Sequence, residues 1–172
     1  MDVRLEPWAV GDLDLVRRLN GDAAMMEHLG GPESEDQLAR RQARYEQPGS
    51  GMYKVLAAAD GRPVGSVGFW EREWLGATVL ETGWSVLPEF QGRGIGTRSL
   101  QLACAAAFED AARPIHGYPS VDNDPSNAMC RRAGLRLAGE IEVERRPGRT
   151  MRVYDWVLEP DGAAAATPDP VP

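Results

Sequence analysis

Apolar and polar positions change period along the chain. Val3 to Trp8 reads as a first strand. Asp12 then caps a helical pattern in which Leu13, Val16 and Leu19 share one face. After a break at Asn20-Gly21 the pattern resumes through Met25, Met26 and Leu29, and Gly30-Gly31-Pro32 ends it. Ser34-Glu35-Asp36-Gln37 has the spacing of a capping box and opens a polar helix towards Tyr45. The middle of the chain turns to strands: Met52 to Ala59, a turn at Asp60-Gly61-Arg62-Pro63, Val64 to Glu73, and Ala77 to Leu87. Pro88 breaks the third strand, a glycine-rich loop follows, and Arg93 to Asp110 reads as a long helix with Leu100, Cys104, Ala107 and Phe108 on one side. Ile115 to Val121 is another strand, and Ser126 to Ala133 a short helix with Gly134 as its C-terminal cap. Two last strands, Leu135 to Arg145 and Thr150 to Leu158, flank Pro147-Gly148.

This order, an antiparallel meander leading into a strand–helix–strand crossover, predicts a mixed α/β (α+β) fold around one sheet. A chain of 172 residues with 42% hydrophobic and 26% charged positions is long enough for one domain with a real core, expected over 1–159. The remainder, 160–172, is Pro, Ala and Asp with nothing to bury, and is expected to be a disordered tail. A net charge of -7 disfavours nucleic acid and anionic lipid as partners and favours a cationic one. No apolar run reaches the ~18 residues of a membrane span, and no leader is apparent, so a soluble cytoplasmic protein is expected. Cys104 and Cys130 have neither zinc spacing nor a disulfide framework, and Cys104 reads as a buried inert thiol. No metal site is expected.

The informative segment is Trp84-Ser85-Val86-Leu87-Pro88-Glu89-Phe90-Gln91-Gly92-Arg93-Gly94-Ile95-Gly96-Thr97. Three glycines at alternate positions lead into a helix, so successive backbone N–H groups can line a concavity and the helix start adds donors and a positive dipole end. That combination suits a pyrophosphate. A Walker loop would require Gly-Lys-Ser/Thr, and here Gly96-Thr97-Arg98 has no lysine; Gly94 to Ser99 misses the last glycine of G-x-G-x-x-G.

Gln91-Gly92-Arg93-Gly94-Ile95-Gly96 instead matches Q/R-x-x-G-x-G/A, and here the chain resembles the GNAT superfamily of acyl-CoA-dependent N-acyltransferases. Val86-Leu87-Pro88 is similar to the end of that family's fourth strand. Asn123-Asp124-Pro125-Ser126 and Gly134-Leu135 look like the N-x-x-S and late Gly-Phe-like segments of the subgroup of ribosomal-protein N-terminal acetyltransferases and relatives acting on small amines. The resemblance runs over roughly residues 3–158. It implies one sheet of about seven strands, mostly antiparallel, with splayed central parallel strands and flanking helices. It further implies acetyl-CoA as co-substrate, with the backbone of Gln91, Gly92, Arg93, Gly94, Ile95, Gly96 and Thr97 on the pyrophosphate. Main-chain groups at Val86 and Leu87 would hold the pantetheine arm, and an N–H near Val86 would face the thioester oxygen. A monomer or homodimer is expected.

Acetyl transfer requires a group that takes the proton of the amine. Glu81 is the first candidate: it leads to Val86 on a face shared with Val79, Gly83 and Ser85, and many family members carry a glutamate base on this strand. Its alternative is an exposed charge or a salt-bridge partner. His116 is the second candidate, against a structural histidine, and Asp155 is a possible orienting group. Many family members place a tyrosine acid four residues before the late glycine, and Cys130 stands there instead. The N-x-x-S position makes Ser126 the donor to the coenzyme sulfur, or a helix cap; Asn123 either contacts the pantetheine arm or fixes its own loop. The acceptor is expected to be a compact cationic amine (an amino-sugar, amino-acid-like metabolite or amine antibiotic), with Glu71, Glu73 and Glu81 on adjacent strands supplying at least two carboxylates to one cleft. The alternatives are a protein N-terminus, a non-catalytic acyl-CoA-binding sensor and an unrelated nucleotide-phosphate binder. Trp8, Tyr45, Trp70, Trp74 and Trp84 are either pocket or core, and the resemblance puts Met25, Met26 and His28 in the segment that borders the acceptor site in relatives.

Overall fold

The computed structural model describes residues 1–160 except 75 and 147; residues 161–172, which hold most of the expected tail, lie outside the described residues, as does the proline of the Pro147-Gly148 turn. In chain order the elements are β1 (Val3–Pro7), α1 (Leu13–Asn20), α2 (Glu35–Tyr45), β2 (Met52–Ala57), β3 (Pro63–Trp74), β4 (Ala77–Val86), α3 (Ile95–Asp110), β5 (Ile115–Gly117), α4 (Asp124–Ala133), β6 (Arg136–Arg146) and β7 (Arg149–Leu158). The described strands form one sheet in the order β1-β2-β3-β4-β5-β7-β6. Its one parallel pair is β4 with β5, joined through α3; the others are antiparallel.

Local chemistry explains most boundaries. Ser34 Oγ accepts from the Gln37 N–H and the Gln37 side chain accepts from the Ser34 N–H, so the capping box that starts α2 is present. Asp12 stands at the N-cap position of α1 but makes no side-chain capping bond; its carboxylate accepts from the Ala9 N–H at 2.8 Å and pairs with Lys54 at 2.9 Å. The helix expected from Arg93 begins at Ile95, because Gly92 and Gly94 have φ of 72° and 75°, the left-handed region that interrupts a right-handed helix. The strand expected over Ile115 to Val121 stops at Gly117. Pro119 has no N–H for a ladder, and the chain turns there to bring Ser120 beside Val153. α4 starts two residues earlier than expected, since Pro125 is tolerated in a first turn.

One core cluster packs Leu80 and Ile115 of the sheet against Leu100, Cys104 and Ala107 of α3 and Met129 and Cys130 of α4. A second joins Val16 and Leu19 of α1 and Leu38 of α2 to Val55, Val64 and Val67. Each fully buried aliphatic side chain of this kind contributes about 1.5–3 kcal/mol. Among the described residues no helix is long and apolar enough to cross a membrane.

Candidate active site

The site begins where β4 and β5 part. Leu87 N–H donates to Val64 at 2.9 Å, and the β3–β4 register pairs Gly65 with Val86. Hydrogen-bonded pairs alternate along an antiparallel ladder, so Ser85, Gly83 and Glu81 exchange bonds with β3 while Val86, Trp84, Thr82 and Leu80 turn their peptide groups towards β5. Leu80 N–H accordingly donates to Pro114 at 3.0 Å. β5 ends at Gly117, the partner of Thr82. Beyond that point the main-chain groups of Trp84 and Val86 face a fork with no strand beside them.

At the mouth of the fork stands the start of α3. Its N-cap is Gly94, which has no side chain to cap the first turn, and that turn carries no acidic residue. A Cβ added at Gly92 or Gly94 would meet nothing within 4 Å. The N–H groups of Ile95, Gly96 and Thr97 are those that a helix leaves without intrahelical partners. Gln91 Nε2 donates to the Val86 carbonyl at 2.9 Å, tying the loop to the end of β4. The open space, the donors and the absence of acid fit a pyrophosphate. The Ile95 side chain is buried, so only its backbone faces the loop. Leu87 is also buried, and its N–H and carbonyl are taken by Val64 and Phe90.

One cleft of about 1040 Å³ joins Gln91, Gly92 and Gly94 to Thr97 with Val86, Asn123, Ser126 and Glu81. Leu87 and Arg93 do not line it; the Arg93 guanidinium lies over the Phe90 ring. Asn123 is the N-cap of α4, its Oδ1 accepting from the Ser126 N–H at 3.1 Å. Ser126 is therefore not the cap, and its Oγ accepts from Trp84 Nε1 at 3.3 Å. Asn127 anchors the same turn, donating to the carbonyls of Ser120 and Asn123 and accepting from Trp156 Nε1 at 2.9 Å.

On the other face of β4, Glu81 is buried and bonded to Arg72 at 2.6 Å. The Arg72 guanidinium lies over the rings of Trp74 and Tyr118. Glu81 stands opposite Trp70 on one side and His116 on the other. His116 does not line the cleft; its Nδ1 is 2.7 Å from Asp155. The register corrects the expected carboxylate cluster. Because Trp70 faces Glu81, alternation turns Glu71 and Glu73 to the opposite face. There Glu71 pairs with Arg113, and Glu73 accepts from Thr78.

The acidic groups that do line the cleft with Glu81 are Glu27 and Glu33, which the sequence pattern did not single out. Glu33 is bonded to Arg41, whose Nη1 donates to Tyr45 at 2.6 Å. Burial opposes the Arg41 charge, but the Glu33 and Tyr45 interactions outweigh it and raise its pKa. Met25, Met26 and His28 line the cleft, and so do Tyr45, Trp70 and Trp84; Trp8 and Trp74 do not. Cys104 and Cys130 are buried in the core, which pushes each thiol up to about 12, and neither lines the cleft. Arg72, Asn127 and the Trp84–Ser126 bond had no signal in the sequence, because each joins positions whose proximity depends on strand register or helix docking.

A family model described as the acetyltransferase (GNAT) domain matches residues 2–136. The chain belongs to this GNAT acetyltransferase family. It is 31% identical over 166 residues to the mycothiol acetyltransferase of Nocardia farcinica, covering 92% of this chain and 52% of that protein. The chain thus spans about half the length of this relative. Its fold is that of a GNAT-family acetyltransferase from Bacillus anthracis, with a TM-score of 0.78 at 17% identity over 92% of this chain and 95% of the other. It is also that of the spermidine N-acetyltransferase from Vibrio cholerae, solved with CoA and spermine, with a TM-score of 0.74 at 20% identity and the same coverage. In this GNAT domain the glycine-rich loop, the strand fork and Glu81 border one space.

Proposed function

We propose that the chain transfers acetyl from acetyl-CoA to the amine of a compact cationic molecule, directly, within one ternary complex. The observation that carries this reading is the single cleft that runs from the start of α3, past the fork, to Glu81. N–H groups from Gly92 to Thr97 hold the pyrophosphate, and Gln91 holds the loop closed. The pantetheine arm lies along Trp84 and Val86 as a strand would. The Val86 N–H stabilises the oxyanion that forms as the amine attacks, a role supported by the β3–β4 register that turns it into the fork. Glu81, held by Arg72, takes the amine proton. The Ser126 hydroxyl faces the departing sulfur, and Asn123 fixes its turn.

The acceptor class is supported by the cleft itself. Glu27, Glu33 and Glu81 outnumber Arg41 and Arg132 there, and Trp70, 40% exposed, offers a ring face to an ammonium group. The relatives named for mycothiol and spermidine point to small acceptors too. Acetylation of a protein N-terminus, as in the ribosomal-protein subgroup, keeps the same chemistry and changes only the acceptor. A panel of primary amines and N-terminal peptides incubated with acetyl-CoA, followed by released thiol, tests the reading. Small cationic amines should turn over, with a KM that rises with ionic strength. Turnover of peptides alone would replace the small-molecule reading, and thiol release with neither would refute transfer.

A further inference from the structure

An indole N–H only donates, whereas a serine hydroxyl has one proton to give and two acceptor positions. In the Trp84–Ser126 pair the direction is therefore settled: Trp84 Nε1 donates and Ser126 Oγ accepts, at 3.3 Å. Among the described residues no group accepts the Ser126 hydroxyl proton in return. Capping is already done by Asn123, so the helix places no demand on that hydroxyl. Both residues line the cleft, so a group bound there can accept that proton.

The ring that sets this direction is itself held. Trp84 packs against the cluster of Leu80, Leu100 and Met129. Its ring edge lies so close over Gly117 that an added Cβ there would stand 3.1 Å from two ring carbons. Gly117 is the last residue of β5, so the indole lies beside the point where β4 and β5 diverge.

We propose that Trp84 is a positioning residue: its indole N–H turns the Ser126 hydroxyl towards the thioester sulfur. This rests on the acetyl-transfer reading and on the place of Ser126 in it. The amine nitrogen bonds the acetyl carbon to give the tetrahedral oxyanion; as that oxyanion collapses to the amide carbonyl, the C–S bond breaks and its electron pair goes to sulfur. The amine proton passes to Glu81 and on to solvent. An alcohol is a weaker acid than a thiol, whose pKa is about 8.5. Ser126 therefore keeps its proton and donates a hydrogen bond to the developing thiolate, which solvent then protonates. Accepting from the indole polarises the hydroxyl and makes it a better donor.

Two measurements test this. The first is a kinetic cycle of Trp84→Phe, Ser126→Ala and the double variant, with Ser126→Thr as rescue, using acetyl-CoA and an amine that turns over. Ser126→Ala should lower kcat by about 10²-fold, the scale of one lost transition-state donor. Trp84→Phe should lower it about tenfold, with KM for acetyl-CoA little changed. The double variant should be no slower than Ser126→Ala alone, and Ser126→Thr should recover most of the rate. Losses that multiply, or a Trp84→Phe variant with wild-type kcat, overturn the role of Trp84 while leaving acetyl transfer intact. Wild-type turnover in Ser126→Ala removes Ser126 from the reaction and this inference with it.

The second measurement needs neither turnover nor a folded Trp84 variant. Of the five indole N–H signals expected in an NMR spectrum, the one that moves in Ser126→Ala reports Trp84. That signal should shift more with CoA than with desulfo-CoA, which lacks the sulfur. Equal shifts overturn the inference, and no binding of CoA at all overturns the coenzyme reading beneath it.

Discussion

Replacing Gly94 by aspartate separates folding of the loop from its use. A Cβ at this position meets nothing within 4 Å, so no side chain is crowded. The left-handed backbone at φ 75° costs most residues about 1–2 kcal/mol and an aspartate less, because its short polar side chain tolerates that region. A negative charge at a helix start returns about 0.3–1 kcal/mol. The net change in stability is within about 1 kcal/mol, a shift of roughly 2–4 °C for a domain of this size. Binding should respond far more. A carboxylate about 5 Å from one pyrophosphate charge, at an effective dielectric of about 20, is repelled by about 3 kcal/mol. That is a loss of at least about 10²-fold in acetyl-CoA affinity. Asparagine, of the same size but uncharged, should bind within about tenfold of wild type. Calorimetric titration at low salt and at about 1 M, where the Debye length falls to about 3 Å, should show the aspartate penalty shrinking. Equal affinities for Gly94→Asp and Gly94→Asn at low salt would refute a pyrophosphate at the start of α3.

Glu81→Gln keeps the side-chain shape and removes the proposed proton acceptor, so turnover should fall by about 10²–10⁴-fold with acetyl-CoA affinity nearly unchanged, as steady-state kinetics and calorimetry would show. Gly96→Ala puts a Cβ 2.6 Å from Met129 Sδ; this overpacking should cost about 1–3 kcal/mol, read as a lower unfolding temperature, and should slow turnover by shifting the turn that carries Ser126. The two thiols have pKa values raised by burial from 9.0 to about 12. The unfolded chain therefore releases their protons first as pH rises, and stability should fall between about pH 9 and pH 12; urea midpoints for wild type and Cys104→Ala/Cys130→Ala across that range should diverge, the variant falling less. At neutral pH a thiol reagent should label neither cysteine until the protein unfolds.

Elements set by near neighbours are legible in the amino-acid sequence alone. The Ser34–Gln37 capping box, the left-handed stop at Gly134 and the glycines from Gly92 to Gly96 depend on residues a few positions apart, and a one-dimensional pattern records those interactions. The loop proposed to hold the pyrophosphate belongs to the same class, because its donors are backbone groups of consecutive residues. Tertiary structure decided what a period of two leaves open. Alternation along β3 separates Glu71 and Glu73 from Trp70, but only the register tells which of them faces Glu81, and it chose Trp70. The pairs that shape the site are distant in the chain: His116 with Asp155, Trp84 with Ser126, and Glu33 and Glu27 brought over from the α1–α2 connection to a cleft they share with Glu81. Such contacts form when strands align and helices dock. They are decided by the packing of the whole core, and no local spacing carries them.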